Sequence, residues 1–103
     1  MTRGTTPKIY MELPKEISVE SIKDAVFTMA QGKKEILSKK LNEMECDVGE
    51  NRLSVLLTQE ETLLLSDQYV VELQLKLKSH DDVVIASDIA RVPIDRILSE
   101  DTL

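Results

Sequence analysis

From Tyr69 to Lys78 the chain alternates without a break. Tyr69, Val71, Leu73, Leu75 and Leu77 interleave with Val70, Glu72, Gln74, Lys76 and Lys78. In an extended chain successive side chains point to opposite faces, so these five apolar groups line one face. On a helix the same five would spread around the whole circumference. Residues 69–78 are therefore predicted as a half-buried strand of an antiparallel sheet. A strand with one apolar face needs a second layer to cover it.

The flanking segments repeat the theme. Ser79-His80-Asp81-Asp82 is turn chemistry, and the β-branched Val83-Val84-Ile85-Ala86 that follows predicts a hairpin. Its second arm runs on through Ser87 to Val92 and meets Pro93, which lacks a ladder donor and marks an edge, bulge or crossing point. Arg52 to Leu57 puts Leu53, Val55 and Leu57 on one face, and Gly49-Glu50-Asn51 turns it back onto Met44–Val48. Lys34 to Leu41 reads as another strand, preceded by a turn at Gln31-Gly32-Lys33. Lys8 to Leu13 gives a short first strand that stops at Pro14.

Ser18 to Gln31 supports two readings. Val19, Ile22, Val26 and Met29 fall at helical spacing, whereas Ala25-Val26-Phe27-Thr28-Met29 is strand-like and leads into a tight turn. A strand from about Ile22 to Ala30 is favoured, with a helix as the alternative. Thr58-Gln59-Glu60-Glu61 has the spacing of a capping box and predicts a single helical turn near residues 58–62.

The expected fold is all-β: an immunoglobulin-like antiparallel sandwich of about seven strands with at most that one helical turn. At 103 residues and 42% hydrophobic content the chain is expected to form one domain, residues 1–103, with residues 1–7 and 99–103 as flexible ends. It lacks the paired cysteines and the Trp of an antibody-type domain, so only the architecture would be shared.

Charge and composition narrow the function. Nineteen acidic against thirteen basic residues disfavour general nucleic-acid binding, and three aromatic residues without Trp offer no stacking platform. No apolar run approaches the roughly eighteen residues of a membrane span, and residues 1–7 lack the apolar core of a secretory signal. Synthesis in a cytoplasm is the expectation. There is no Gly-x-Ser-x-Gly, no phosphate-binding Gly-rich loop and no His-Glu-x-x-His.

A nucleophile–base pair could only be Cys46 with His80, and the acidic neighbours Glu45 and Asp47 disfavour a thiolate there. Asp81-Asp82, Glu60-Glu61 and Glu43-Glu45-Asp47 lack the spaced ligands and Gly of a calcium loop, and read as solvated turns. Lys33, Lys34, Lys39 and Lys40, with Lys76 and Lys78, read as lysines that discourage strand-to-strand aggregation. No catalytic, cofactor or metal residue is expected.

Apolar runs point to contact surfaces instead. Leu63, Leu64 and Leu65 fit either a corner of the core or an assembly surface. The arm from Val83 through Ile85 to Pro93, Ile94 and Ile97 is the second candidate, by strand addition or apolar contact.

Four stretches carry a resemblance: Met1-Thr2-Arg3-Gly4-Thr5-Thr6-Pro7, Leu57-Thr58-Gln59-Glu60-Glu61-Thr62-Leu63, Val71-Glu72-Leu73-Gln74-Leu75-Lys76 and Ala86-Ser87-Asp88-Ile89. Together they resemble small proteins of phages and prophages of Gram-positive bacteria, and the N-terminal β-sandwich of phage baseplate upper proteins. The resemblance spans nearly the whole chain, on core and turn positions. It implies a non-enzymatic structural or interaction module of a virion tail or baseplate, with other protein subunits as partners and no catalytic residues. Baseplate upper proteins continue into further domains, so a chain of this length is expected to be a small standalone virion or accessory protein. Self-association is open. The alternative is an acidic regulatory protein that blocks a nucleic-acid-binding partner; a small hydrolase comes last, given one His and no motif.

Overall fold

The computed structural model describes all of residues 1–103. Its elements are β1 (Lys8–Glu12), a 3-10 turn (Val19–Ser21), β2 (Ile22–Gln31), β3 (Lys34–Lys40), a second 3-10 turn (Leu41–Glu43), β4 (Glu45–Asp47), β5 (Arg52–Leu56), α1 (Gln59–Leu63), β6 (Val71–Ser79), β7 (Val84–Ala86) and β8 (Ala90–Val92). They form two antiparallel sheets, β1-β5-β4 and β3-β2-β6-β7, with β8 also paired to β6. Phe27, Met29, Val71 and Leu75 from the larger sheet meet Leu53, Val55 and Leu57 from the smaller in one buried cluster. The chain is an all-β sandwich. Its β2–β3, β4–β5 and β6–β7 connections are hairpins within a sheet, β1–β2, β3–β4 and β5–β6 cross between sheets, and β7 runs on to β8 within the larger sheet. In antibody-type domains the second and third strands sit in different sheets, so the likeness is one of two-layer architecture.

Eight strands stand where about seven were expected because one arm is broken. β7 pairs with Lys76–Lys78 and β8 with Val71–Leu73, so both lie in one lane along β6. Between them, Gln74 and Leu75 of β6 face three residues, Ser87, Asp88 and Ile89, which is a bulge. Ser87 holds it closed. Its N–H donates to the Leu75 carbonyl at 2.8 Å, and its Oγ accepts the Leu75 N–H at 3.0 Å in place of a ladder carbonyl.

Residues 22–31 are a strand, as favoured over the helix. A register shift between Ile22 and Asp24 turns both Ile22 and Ala25 inward. Together with the 3-10 turn that buries Val19, that bulge produces the helix-like spacing of apolar residues. The hairpin that follows turns through Gly32 at φ 56° and Lys33 at φ 67°, the two left-handed positions of a tight two-residue turn.

Two boundaries differ from the sequence reading. β6 begins at Val71, and Tyr69 and Val70 are exposed. The buried Gln31 side chain closes the preceding turn: its Oε1 accepts the Ser66 N–H, and its Nε2 donates to the Ser66 and Tyr69 carbonyls. Residues 1–7, expected as a loose end, are tied down. The Met1 ammonium donates to the Pro93 carbonyl, Thr2 bridges Asp95, and the Arg3 guanidinium bonds the Leu63 and Leu65 carbonyls and Glu100. Gly4, at φ 71°, lies so close to Ile97 that a Cβ there would come within 2.7 Å of its Cδ1. Residues 99–103 are exposed and carry no regular structure.

The predicted helical turn is α1. Thr58 Oγ1 accepts the Glu61 N–H at 3.1 Å while Glu61 Oε1 accepts the Thr58 N–H at 2.9 Å, a reciprocal cap. Thr62 is fully buried and donates to the Thr5 carbonyl, so α1 is fastened to the N-terminal segment.

Candidate functional site

The larger sheet has two free edges, built differently. β3 exposes Lys34, Glu35 and Lys40 and carries a register shift opposite Met29 and Ala30. Exposed charge and a bulge both discourage pairing with another strand. Of the charged residues on β3 only Lys39 turns inward, to Glu61.

The opposite edge is apolar. Val83, Val84 and Ile85 are 57%, 51% and 40% exposed, and Ile89 in the bulge is exposed as well. In an antiparallel ladder alternate residues bond the neighbour. Val83 and Ser87 bond β6, so Ile85, in phase with them opposite Leu77, does too, and the backbone groups of Val84 and Ala86 aim away from the sheet. Ile85 shares the inner side with Leu77 yet stays uncovered. The smaller sheet has three strands against four lanes, leaving the outermost lane without a layer over it.

Two grooves open along this side. One, of about 350 Å³, is walled by Ile17, Ile22, Leu77, Val83 and Ile85, with His80 at its mouth and Glu16 and Asp81 on its rim. The other, of about 300 Å³, lies between β1 and the bulge. Ile9, Met11, Phe27, Leu73 and Leu75 line it, and Glu12 and Asp88 are among its polar residues. No Lys or Arg lines either groove. Glu12, Glu16, Asp81 and Asp88 enter none of the molecule's ion pairs. The outer face of the same sheet has the other sign, with Lys40, Lys76 and Lys78 around a shallow depression.

The residues singled out from the sequence separate into two groups. Val83 and Ile85 come together in the first groove, while Pro93 is exposed at the far end of the same lane, past β8. Leu65 and Ile94 are buried in the core, and Leu63 and Ile97 are half-buried around Gly4. Only Leu64 of the leucine run faces solvent. That run is mainly a core corner, with its backbone carbonyls taken by Arg3. Sequence reasoning missed the groove walls Ile17, Ile22 and Met11 and the acidic residues Glu12, Glu16 and Asp88 beside the grooves, and read Asp81 as part of a solvated turn. Only the apolar spacing of Ile17, Val19 and Ile22 hinted at them.

Cys46 and His80 are not brought together. Cys46 lies exposed on β4 beside Tyr10 and Arg52, while His80 is in the β6–β7 turn of the other sheet. No group of three His, Cys, Asp or Glu side chains is placed to hold a metal ion. No helix is long and apolar enough to cross a membrane. On the smaller sheet the Lys8–Glu45 hydrogen bond raises the lysine's pKa and lowers the carboxylate's, and Arg52 and Lys8 approach the Tyr10 ring at 4.3 and 5.6 Å. That patch is internally neutralised. No protein-family model matches the sequence, and none of the curated proteins matches it significantly.

Proposed function

We propose that this chain is a non-enzymatic interaction module, a tail or baseplate component of a phage or prophage, that docks a protein subunit along the β7–β8 edge. The observation that carries the reading is the contrast between the two edges of one sheet. β3 is guarded by lysines and a bulge, whereas Val83, Val84 and Ile85 are left apolar and exposed. An unpaired apolar edge is a liability that isolated sheet proteins blunt, so its retention supports a covering partner. The phage assignment rests on the sequence resemblance.

The test is incorporation into particles of the phage whose genome encodes the chain. Wild-type chain should co-purify with tails, Ile85→Asp should be excluded while retaining its β-sheet circular dichroism, and Lys34→Glu on the guarded edge should incorporate normally. Particles lacking the wild-type chain while the host expresses it would refute the proposal.

A further inference from the structure

The ladder already present fixes where the side chains of a strand added to β7 must point. Lys76 lies opposite Ala86, Leu77 opposite Ile85 and Lys78 opposite Val84, and residues directly opposite each other share a face. Leu77 is buried, so Ile85 stands on the inner face, and Val84 and Ala86 stand on the outer face with the two lysines. The backbone groups of Val84 and Ala86 are also the ones that aim away from the sheet. A strand bonded to them therefore shows its side chains opposite Val84 and Ala86 on the outer face, and the one opposite Ile85 on the inner face.

Charge on the outer face of β6 is uneven. Glu72 is paired with Arg91, and Lys78 approaches Asp82, which Lys23 also holds. Lys76 between them is exposed and enters no ion pair, although acidic residues outnumber basic ones nineteen to thirteen. Only the methyl of Ala86 stands between Lys76 and the open lane. Two strand spacings, about 10 Å, separate the Lys76 backbone from that lane, a span that an extended lysine and glutamate close together.

Resting on the docking edge above, we infer that its occupant is an extended segment of a partner protein with alternating acidic and apolar side chains, paired antiparallel to β7. Main-chain bonds to Val84 and Ala86 supply affinity. The acidic side chains opposite Ala86 and Val84 reach over these two residues to Lys76 and Lys78. The apolar one between them meets Ile85 in a non-hydrogen-bonded pair, where side chains approach most closely, and extends the groove wall of Ile17, Leu77 and Val83. A basic alternating strand sets its charges beside the two lysines, and a wholly apolar one leaves Lys76 unpaired. The charge pattern sets specificity more than total affinity.

The probe is a short capped peptide of alternating Val and Glu, compared with its Val–Lys counterpart on the intact chain by amide chemical-shift titration. Physiological ionic strength, with a Debye length of about 8 Å, damps the repulsion from the chain's net charge of −6 and leaves contacting pairs. Two solvent-facing ion pairs give a preference of about fivefold for the glutamate peptide. The shifts should centre on Val84 and Ala86. Lys76→Gln should bring the two peptides closer to parity with the free protein's spectrum otherwise unchanged, and Lys40→Gln, at the far edge of the same face, should leave the preference intact. Equal or tighter binding of the lysine peptide, no binding of the glutamate peptide at millimolar concentration, shifts centred on β1, β3 or Leu64, or a preference indifferent to Lys76→Gln would each overturn the inference. Chain that still enters phage tails through the β7–β8 edge under those results would leave the docking reading standing and remove only the acidic-strand occupant.

Discussion

The Lys39 ammonium lies 2.5 Å from the Glu61 carboxylate, joining an edge strand of the larger sheet to the helix between the sheets. Lys39 pairs with Phe27 across β2 and so shares its inward side; its side chain is only 14% exposed. A lysine that would be read as an edge guard is thus part of the sandwich's internal bracing.

Lys39→Ala should destabilise the fold by about 1–2 kcal/mol. This lies between an exposed ion pair, ~0–1, and a fully buried pair broken at one partner, ~3–5. Lys39→Met, which keeps the aliphatic stem, should cost less. Urea denaturation of the two variants checks the order.

Glu61 gives the fold an acid limit. Burial opposes its charged form, but the Lys39 hydrogen bond and the Thr58 N–H outweigh that, and the carboxyl is held below its ordinary pKa. A carboxylate depressed on folding contributes stability that is complete above its unfolded pKa and is lost as pH falls through the folded one. Glu61→Gln should therefore lower Tm at neutral pH, and its deficit relative to wild type should shrink as pH drops below the usual glutamate range. A deficit that does not change with pH would contradict the assignment.

Ser87→Ala should cost about 1 kcal/mol, since the Leu75 N–H loses its only acceptor at the bulge. Amide exchange should speed up at Leu75 in particular, with β2–β6 pairing unchanged.

Arg3→Ala should cost about 1.5–3 kcal/mol, the range for hydrogen bonds from a charged donor, by freeing the carbonyls of Leu63 and Leu65. Gly4→Ala should destabilise as well, because φ 71° is strained for any residue with a Cβ, and that Cβ would push the Ile97 Cδ1 methyl aside from 2.7 Å. Thermal melts of both variants, with far-ultraviolet dichroism retained, check these values.

Much of the fold was legible because it depends on local chemistry. The alternation of β6, the Thr58–Glu61 cap and the turn at Gly32 and Lys33 are all written within a few residues. What stayed hidden acts at long range. Gln31 reaches Ser66 and Tyr69, Asn51 accepts the Val19 N–H and donates to the Ile17 carbonyl, and Arg3 reaches Leu63 and Leu65. Nothing in the neighbouring sequence of those polar residues names their partners. The candidate edge was half legible. The β-branched run at Val83–Ile85 signals a strand, but its exposure follows from a four-lane sheet facing a three-strand one, a global count. The acidic residues beside the grooves come from β1, the loop after it, the β6–β7 turn and the β7–β8 bulge, so no local motif announces them.

Hydrogen–deuterium exchange at Val84 and Ala86, compared between the free chain and the chain assembled into tail particles, probes the docking edge directly. The docking edge predicts fast exchange in the free protein, where both amides face solvent, and strong slowing on assembly, with Lys34–Lys40 unchanged. Unaltered exchange at Val84 and Ala86 together with slowing along β3 would contradict it.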